Sequence, residues 1–431
     1  MKNILKKIVI SVLTLEAKQV LKKYKPSIIA VTGSVGKTST KDAIYAAMSG
    51  FFDVRRSLKS MNSEIGLPLA ILGLENAWGS AFGWAKNILK GAQIAFFSDI
   101  FPKWLVLEVG ADHPADIEKV GKWLHPDIVV LTRMSPIPVH IEYFKDASEV
   151  LREKMFLAKA LKSDGILIVN ADDELFMKAS QDLSVKKITF GSAKNADIKI
   201  VESGALYDEP PLLLPRGQYA VFDIHGRTER INIERVVGNH LIYPIAAAIA
   251  LALVLNIKPN LGGIFKSSGM PRGRMRILAG KSKSIIIDDT YNSSPIACFE
   301  ALKTLASLSV KGKKIAALAD MKELGDLSEN AHREIGKLAG ETLHTLITVG
   351  EEAQNIALGA RESGMSPDRI LSFNTSTEAV TKLADILRAG DVMLIKGSQS
   401  MRMEKLTEAL LEDPSKASEL LVRQEEEWKN R

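Results

Sequence analysis

Short apolar runs rich in β-branched residues recur along this chain, each leading through a polar turn into a stretch with apolar positions at helical spacing. Such runs occupy Ile28–Val31, Trp104–Val109, Asp127–Thr132 and Gly165–Asn170 in the first half, then Ile285–Asp289, Lys314–Leu318, Leu346–Val349 and Val392–Ile395 in the second. Strands that alternate with helices predict parallel sheets covered on both faces, so the expected fold class is α/β with two sheets. From Lys187 to Ile233 short alternating strands prevail, Tyr219–Ile224 among them, and predict a small antiparallel extension. An alanine-rich helix is expected over Ile245–Leu255, and the Gly/Ser/Pro-rich passage Gly262–Gly273 reads as a domain boundary. The expected division is an N-terminal helix over 1–27, a central domain over 28–268 with a mostly parallel sheet, and a C-terminal Rossmann-like domain over 269–431.

Two stretches depart from this alternation. Ile4–Leu13 joins a basic start to a short apolar run, too short to span a bilayer and with no small-residue cleavage site after it. It continues at helical spacing to Lys23 and reads as an amphipathic helix, packed on the protein or lying on an anionic membrane surface, with packing favoured. Trp78 to Trp104 is dense in tryptophan and phenylalanine, relieved by a few lysines. It predicts a packed helical hairpin or a surface that meets a membrane or a partner.

Composition changes little. The 431 residues are 46% hydrophobic and 25% charged, as in an ordinary globular protein, and the net charge of +6 suits anionic substrates without implying a nucleic-acid partner. A single cysteine, Cys298, excludes an internal disulfide and a multi-cysteine zinc site.

The chemistry concentrates in Thr32-Gly33-Ser34-Val35-Gly36-Lys37-Thr38-Ser39, between a strand and a helix. Glycines let the backbone turn tightly so that its N–H groups and a helix N-terminus face an anion. Lys37 would reach the outer phosphates and the Thr38 hydroxyl would ligate magnesium. The strict motif has glycine where Val31 stands. Glu108 ends the next strand, where a P-loop domain places a magnesium-binding acid.

The ordered motifs resemble those of the Mur ligase family of ATP-dependent amide-forming enzymes. The match is carried by the loop itself, by Asn62-Ser63-Glu64-Ile65-Gly66-Leu67-Pro68, Leu107-Glu108-Val109-Gly110, His140-Ile141-Glu142-Tyr143-Phe144 and Asn170-Ala171-Asp172-Asp173. It continues through Gly273-Arg274-Met275, Asp288-Asp289-Thr290-Tyr291-Asn292-Ser293-Ser294-Pro295, Asp320-Met321-Lys322-Glu323-Leu324-Gly325 and Lys396-Gly397-Ser398-Gln399-Ser400-Met401-Arg402-Met403. The branch it is most similar to adds D-alanyl-D-alanine to a muramoyl tripeptide in peptidoglycan synthesis. The resemblance implies that ATP phosphorylates a peptide carboxylate and an incoming amine attacks the acyl phosphate.

Residue by residue, the resemblance implies that Gly33, Ser34, Val35, Gly36, Lys37, Thr38 and Ser39 hold ATP phosphates. Thr38 and Glu108 would take one magnesium ion; His140 and a carbamylated Lys154 would take a second, with Lys159 as fallback. Arg274, Asp289 and Asn292 would meet the nucleotide from the C-terminal domain, and Asn239 and His240 from the adenine side. Lys37, His140, Lys154 and Arg274 would be catalytic, and Asn62, Asp320, Lys396 and Arg402 would bind substrate. Met155 and Phe156 replace the residues usual after the lysine, and Leu241 and Pro244 replace usual asparagines.

Members of this family carry a domain before the loop for the UDP-sugar end of the substrate; here about thirty residues precede it. The expectations that follow are recognition reduced to the peptide end, a partner supplying the rest, or a different acceptor, polymeric or lipid-linked. A nucleotide-binding scaffold that has lost ligation is the reading from another class. The expected partners are the nucleotide and peptide substrates, the expected state a cytoplasmic monomer, with peripheral contact to the inner membrane face as a further expectation.

Overall fold

The structure is a computed structural model that describes residues 2–58, 61–78, 80–135, 143–267, 271–383, 385–425 and 428. The chain opens with helix α1 (Lys2–Tyr24), β1 (Ser27–Thr32), α2 (Lys37–Met48), β2 (Val54–Arg56), α3 (Gly66–Leu72), α4 (Ala81–Phe96) and β3 (Trp104–Glu108). It continues with α5 (Asp116–Leu124), β4 (Ile128–Leu131), α6 (Ala147–Lys159), β5 (Ile166–Asn170), α7 (Glu174–Ala179) and β6 (Lys186–Gly191). Then come β7 (Ile198–Tyr207), β8 (Pro215–Ile224), β9 (Arg227–Glu234), α8 (Ile242–Val254) and α9 (Leu261–Ser267).

These strands form one sheet in the order β2-β3-β1-β4-β5-β6-β7-β8-β9, parallel as far as β7 and antiparallel over β7-β8-β9. The expected antiparallel extension is therefore a continuation of the main sheet. Period-two alternation decides which helix meets which face. Ile28, Ala30, Leu105 and Leu107 pack into a core with α1, α3 and α6, whereas Ile29, Val31 and Val106 pack on the other face against α2 and α8. Helix α1 is packed, as favoured: Val9, Leu13, Ala17 and Val20 form its buried stripe. Truncating one large member such as Leu13 to alanine costs about 2–5 kcal/mol.

The rest of the chain supplies β10 (Arg276–Gly280), β11 (Ser284–Asp289), α10 (Pro295–Ser307), β12 (Lys314–Ala319), α11 (Ser328–Thr342), β13 (Thr345–Val349) and α12 (Gln354–Glu362). It ends with β14 (Ile370–Phe373), α13 (Ser376–Leu383), β15 (Val392–Lys396), α14 (Glu404–Leu410) and α15 (Ala417–Leu420). The second sheet runs β10-β11-β15-β12-β13-β14, parallel except for β10. Strands β10 and β14 lie at its edges and were not among the expected four, because half-exposed edge strands such as Ile-Leu-Ser-Phe lack a continuous apolar run. The mixed architecture is the α/β fold expected, with a large, mostly parallel sheet and a second sheet.

In each sheet the order breaks beside a strand whose carboxyl end faces the same space. In the first that strand is β1, between β3 and β4; in the second, β15 lies between β11 and β12. Crevices at such switch points are where open α/β sheets bind ligands.

Candidate functional site

The loop after β1 is shaped by two glycines. Gly33 adopts φ +148°, and a Cβ there would lie 2.0 Å from the Thr132 hydroxyl; Gly36 adopts φ +86°, entering α2 left-handed. Thr132, just beyond β4, donates to the Thr32 and Val35 carbonyls at 3.1 and 2.7 Å, and the Ser34 N–H donates to the Arg133 carbonyl at 2.7 Å. The loop is thus fixed by hydrogen bonds to the residues that follow its neighbour strand.

Lys37 curls back so that Nζ donates to the carbonyls of Gly33 at 2.9 Å and Ser34 at 3.4 Å. Burial pulls its ammonium below the ordinary lysine value, and Glu108 acts in the opposite direction. Asn62 donates to Glu108 Oε1 at 3.1 Å, and Lys41, fully buried, sits 3.9 Å from Oε2. Glu108 Oε2 is buried without a hydrogen bond. A buried carboxylate oxygen of this kind, free of hydrogen bonds and with Thr38 on the adjacent helix terminus, fits a hard divalent cation completed by phosphate oxygens. Among the described residues no three His, Cys, Asp or Glu side chains cluster as a metal site.

Lys154, on α6, is buried and lines the same cleft. Burial first, and repulsion from Lys37 second, bring its pKa down to about 7. Its neighbour Glu153 is spent on structure, accepting backbone N–H groups of Ala115, Ile117 and Glu118 at the start of α5. Lys159, the fallback, instead lies over the Phe156 ring. His140 lies outside the described residues.

The opposite wall comes from the second sheet. Arg274 lies 4.3 Å over the Tyr291 ring, with Nε buried and unpaired, and lines the cleft with Asp289 and Asn292. Asp289 ends β11 and Lys396 ends β15; they are register partners, and Lys396 Nζ donates to Asp289 Oδ2 at 2.6 Å and to the Asn292 carbonyl at 3.0 Å. Both are almost wholly buried. Sequence reasoning kept Asp289 for the nucleotide and Lys396 for the substrate; the fold places them as one ion pair. His240 forms part of the floor with its ring against Gly238, and burial lowers its pKa. Asn239 does not line the cleft; it is exposed, accepting from the Ser203 hydroxyl.

Asp320 also stands back from the cleft. Its carboxylate accepts from the Ala353 N–H at 2.8 Å and from Lys322 Nζ at 2.7 Å, while Lys322 and Glu323 reach the cleft instead. Arg402 lines the cleft, donates to Glu404 at 2.6 Å and to the Trp428 carbonyl at 2.7 Å, and lies over the Trp428 ring. Trp428 and Asp112 line the cleft without having been singled out. Nothing marks a tryptophan in a charged tail, whereas Asp112, at the turn after β3, follows the strand-end rule that located Glu108. Cys298 is a buried thiol pushed up to about 12 by burial, in keeping with a structural role.

The cavity between the walls measures about 730 Å³, within the range of ligand sites. The Mur ligase middle domain description matches residues 85–252, and the description "Mur ligase, glutamate ligase domain" matches 273–399. The chain belongs to the Mur ligase family. This Mur ligase is 28% identical over 404 residues to a UDP-N-acetylmuramoyl-tripeptide–D-alanyl-D-alanine ligase of Bacillus subtilis, covering 92% of this chain and 79% of that one. The Escherichia coli ligase of the same name is 25% identical, with 90% and 77% covered. A crystal structure of MurF ligase from Thermotoga maritima in complex with ADP superposes with a TM-score of 0.75 at 24% identity, covering 93% of this chain and 83% of that one. A folylpolyglutamate synthase from Mycobacterium tuberculosis shares the fold at TM-score 0.65 and 16% identity, covering 93% and 95%.

Proposed function

We propose that this Mur ligase is an ATP-dependent, ADP-forming ligase that adds D-alanyl-D-alanine to a muramoyl-tripeptide carboxylate in peptidoglycan precursor synthesis. The observation that carries the reading is the facing of a phosphate loop and its acid, Lys37 and Glu108, by Arg274 and Asp289 across one cleft. Residues 28–268 are the ATP-binding domain and 269–431 the domain that closes on the nucleotide.

In this reading the γ-phosphate takes the place of the loop carbonyls at Lys37, so that the ammonium and the loop N–H groups withdraw charge as the peptide carboxylate oxygen attacks phosphorus and the bond to ADP breaks. Arg274 approaches from the other wall and holds the same anion in line. The dipeptide amine then attacks the acyl carbon, loses a proton, and phosphate leaves as the amide forms. Magnesium, held at Thr38 and Glu108, would neutralise phosphate charge, and a second ion would sit near His140 and Lys154. An amine with a pKa near 7 is largely neutral at physiological pH and can add carbon dioxide, turning Lys154 into an oxygen ligand. The enzyme acts in the cytoplasm as a monomer, with peripheral access to the membrane face.

Phosphate release, measured with UDP-linked and UDP-free muramoyl tripeptides side by side, is expected to require peptide and D-alanyl-D-alanine together. Release driven by other amino acids, or by a UDP-free polymer alone, reassigns the acceptor. No stimulation by any peptide with any amine overturns the ligase reading. Intact-mass measurement in bicarbonate is expected to show one carbon dioxide adduct, lost in Lys154→Ala.

A further inference from the structure

Helix α4 is apolar on two faces, with Trp84, Ile88 and Ile94 packed against the core. Its buried positions are Asn87, Gly91 and Ala95, one face at successive turns, while Phe82, Leu89 and Phe96 stand on the solvent side at 81%, 72% and 59% exposure. Phe97 and Ile100 extend that stripe at 81% and 86%. A helix on a water-soluble surface places large apolar residues inward and polar ones outward. A second apolar stripe on the outer face, with small residues where the helix meets its neighbour, is the arrangement of helices whose outer face meets lipid.

Charge narrows the occupant. Lys86 and Lys90 interrupt the stripe, and no acidic residue occurs from Asn76 to Ser98; Asp99 is the first. The end of α1 adds Lys22, Lys23 and Lys25, all exposed, and it is pinned to the end of α4. Lys23 donates to the Ser98 carbonyl at 2.7 Å, the Tyr24 hydroxyl donates to the Ile94 carbonyl at 3.0 Å, and the Tyr24 ring stacks on Phe101 at 4.9 Å. A second copy of this face would set lysines against lysines. An anionic bilayer offers hydrocarbon to the phenylalanines and phosphates to the lysines.

We propose that the α1–α4 face docks this ligase on an anionic phospholipid surface as a peripheral, non-spanning contact. No helix of the described residues is long and apolar enough to cross a membrane. The face runs to the cleft: Trp78, just before α4, meets the Trp428 ring edge-on at 6.5 Å, and Trp428 lines the cavity. Docking would bring the rim of the active site to the bilayer.

The inference stands apart from the substrate assignment, since vesicle binding and phosphate release are separate readouts. Co-sedimentation of the full chain with phosphatidylcholine vesicles, with and without phosphatidylglycerol, is expected to show binding only to the anionic vesicles, weakened by salt. At about fivefold per lysine, Lys86→Ala with Lys90→Ala lowers the partition coefficient about 25-fold. Phe97→Ser with Ile100→Ser is expected to abolish binding, and both double variants keep the wild-type thermal shift with Mg-ADP, which shows that they fold. Equal binding to both vesicle types, binding to neither, or wild-type binding by the variants overturns the proposal. Concentration-dependent dimerisation in light scattering that Phe97→Ser with Ile100→Ser removes gives the face to a second copy and overturns it as well.

Discussion

Lys396 and Asp289 show how one residue's surroundings decide its role. Each ends a strand at the cleft, and either could be read as reaching for a ligand; their pairing at 2.6 Å with almost no exposure makes them partners first. Removing one member of a buried pair leaves the other charged and unpaired, which costs about 3–5 kcal/mol. Lys396→Met is therefore expected to lower the thermal midpoint sharply and to weaken nucleotide binding through Asp289. A variant that keeps wild-type stability and raises only the dipeptide KM would show that Lys396 serves the substrate instead. Asp320 carries the same lesson: its carboxylate fixes Ala353 and Lys322, so what the motif marks is a support for the lysine that reaches the cleft.

At the scale of elements, the attachment of α1 is expected to depend on pH. Glu16 is 6% exposed, its Oε2 has no hydrogen bond, and a Cβ on Gly91 of α4 would lie 2.0 Å from that atom. Burial pushes its pKa up to about 7 from 4.5. Between those values the folded state holds a proton that the unfolded chain has released, so stability falls as pH rises through this window. Glu16→Gln is expected to stabilise the protein by about 3 kcal/mol at pH 8 and hardly at all at pH 4, read from denaturant midpoints at the two pH values. An equal effect at both pH values would mean that the Glu16 carboxyl keeps its ordinary pKa in this interface. The close approach of α1 and α4 depends on Gly91, and it is this packing that turns Phe82, Leu89 and Phe96 of α4 outward.

Across the whole molecule one apolar cluster runs from Ile29 and Val31 in the first sheet, through Ile245 and Ile249 of α8, to Ile277, Ile287 and Leu394 in the second. Two domains that share a core are expected to unfold together. Calorimetry should give one transition, raised as a whole by Mg-ADP if the nucleotide bridges both walls, by about 2.7 kcal/mol of stability at a hundred times its Kd. Two separated transitions, only one of them moved by nucleotide, would show that the cleft walls are energetically independent.

The sequence by itself determined the alternating strands and helices, the phosphate loop and the acid at the end of the next strand. These are local patterns, set by period, by glycine and by the residues that follow a strand. It also carried the family resemblance, because motifs keep their order along a chain whatever the distances between them. Only the tertiary structure decided which strand-end charges face the ligand and which face each other, since Asp289 meets Lys396 through the pairing of strands more than a hundred residues apart. It also decided that the aromatic stretch after Trp78 turns Phe82, Phe96 and Phe97 out. Helical spacing says which residues share a face, but only the packing of a neighbouring helix against Gly91 says which face is left to solvent.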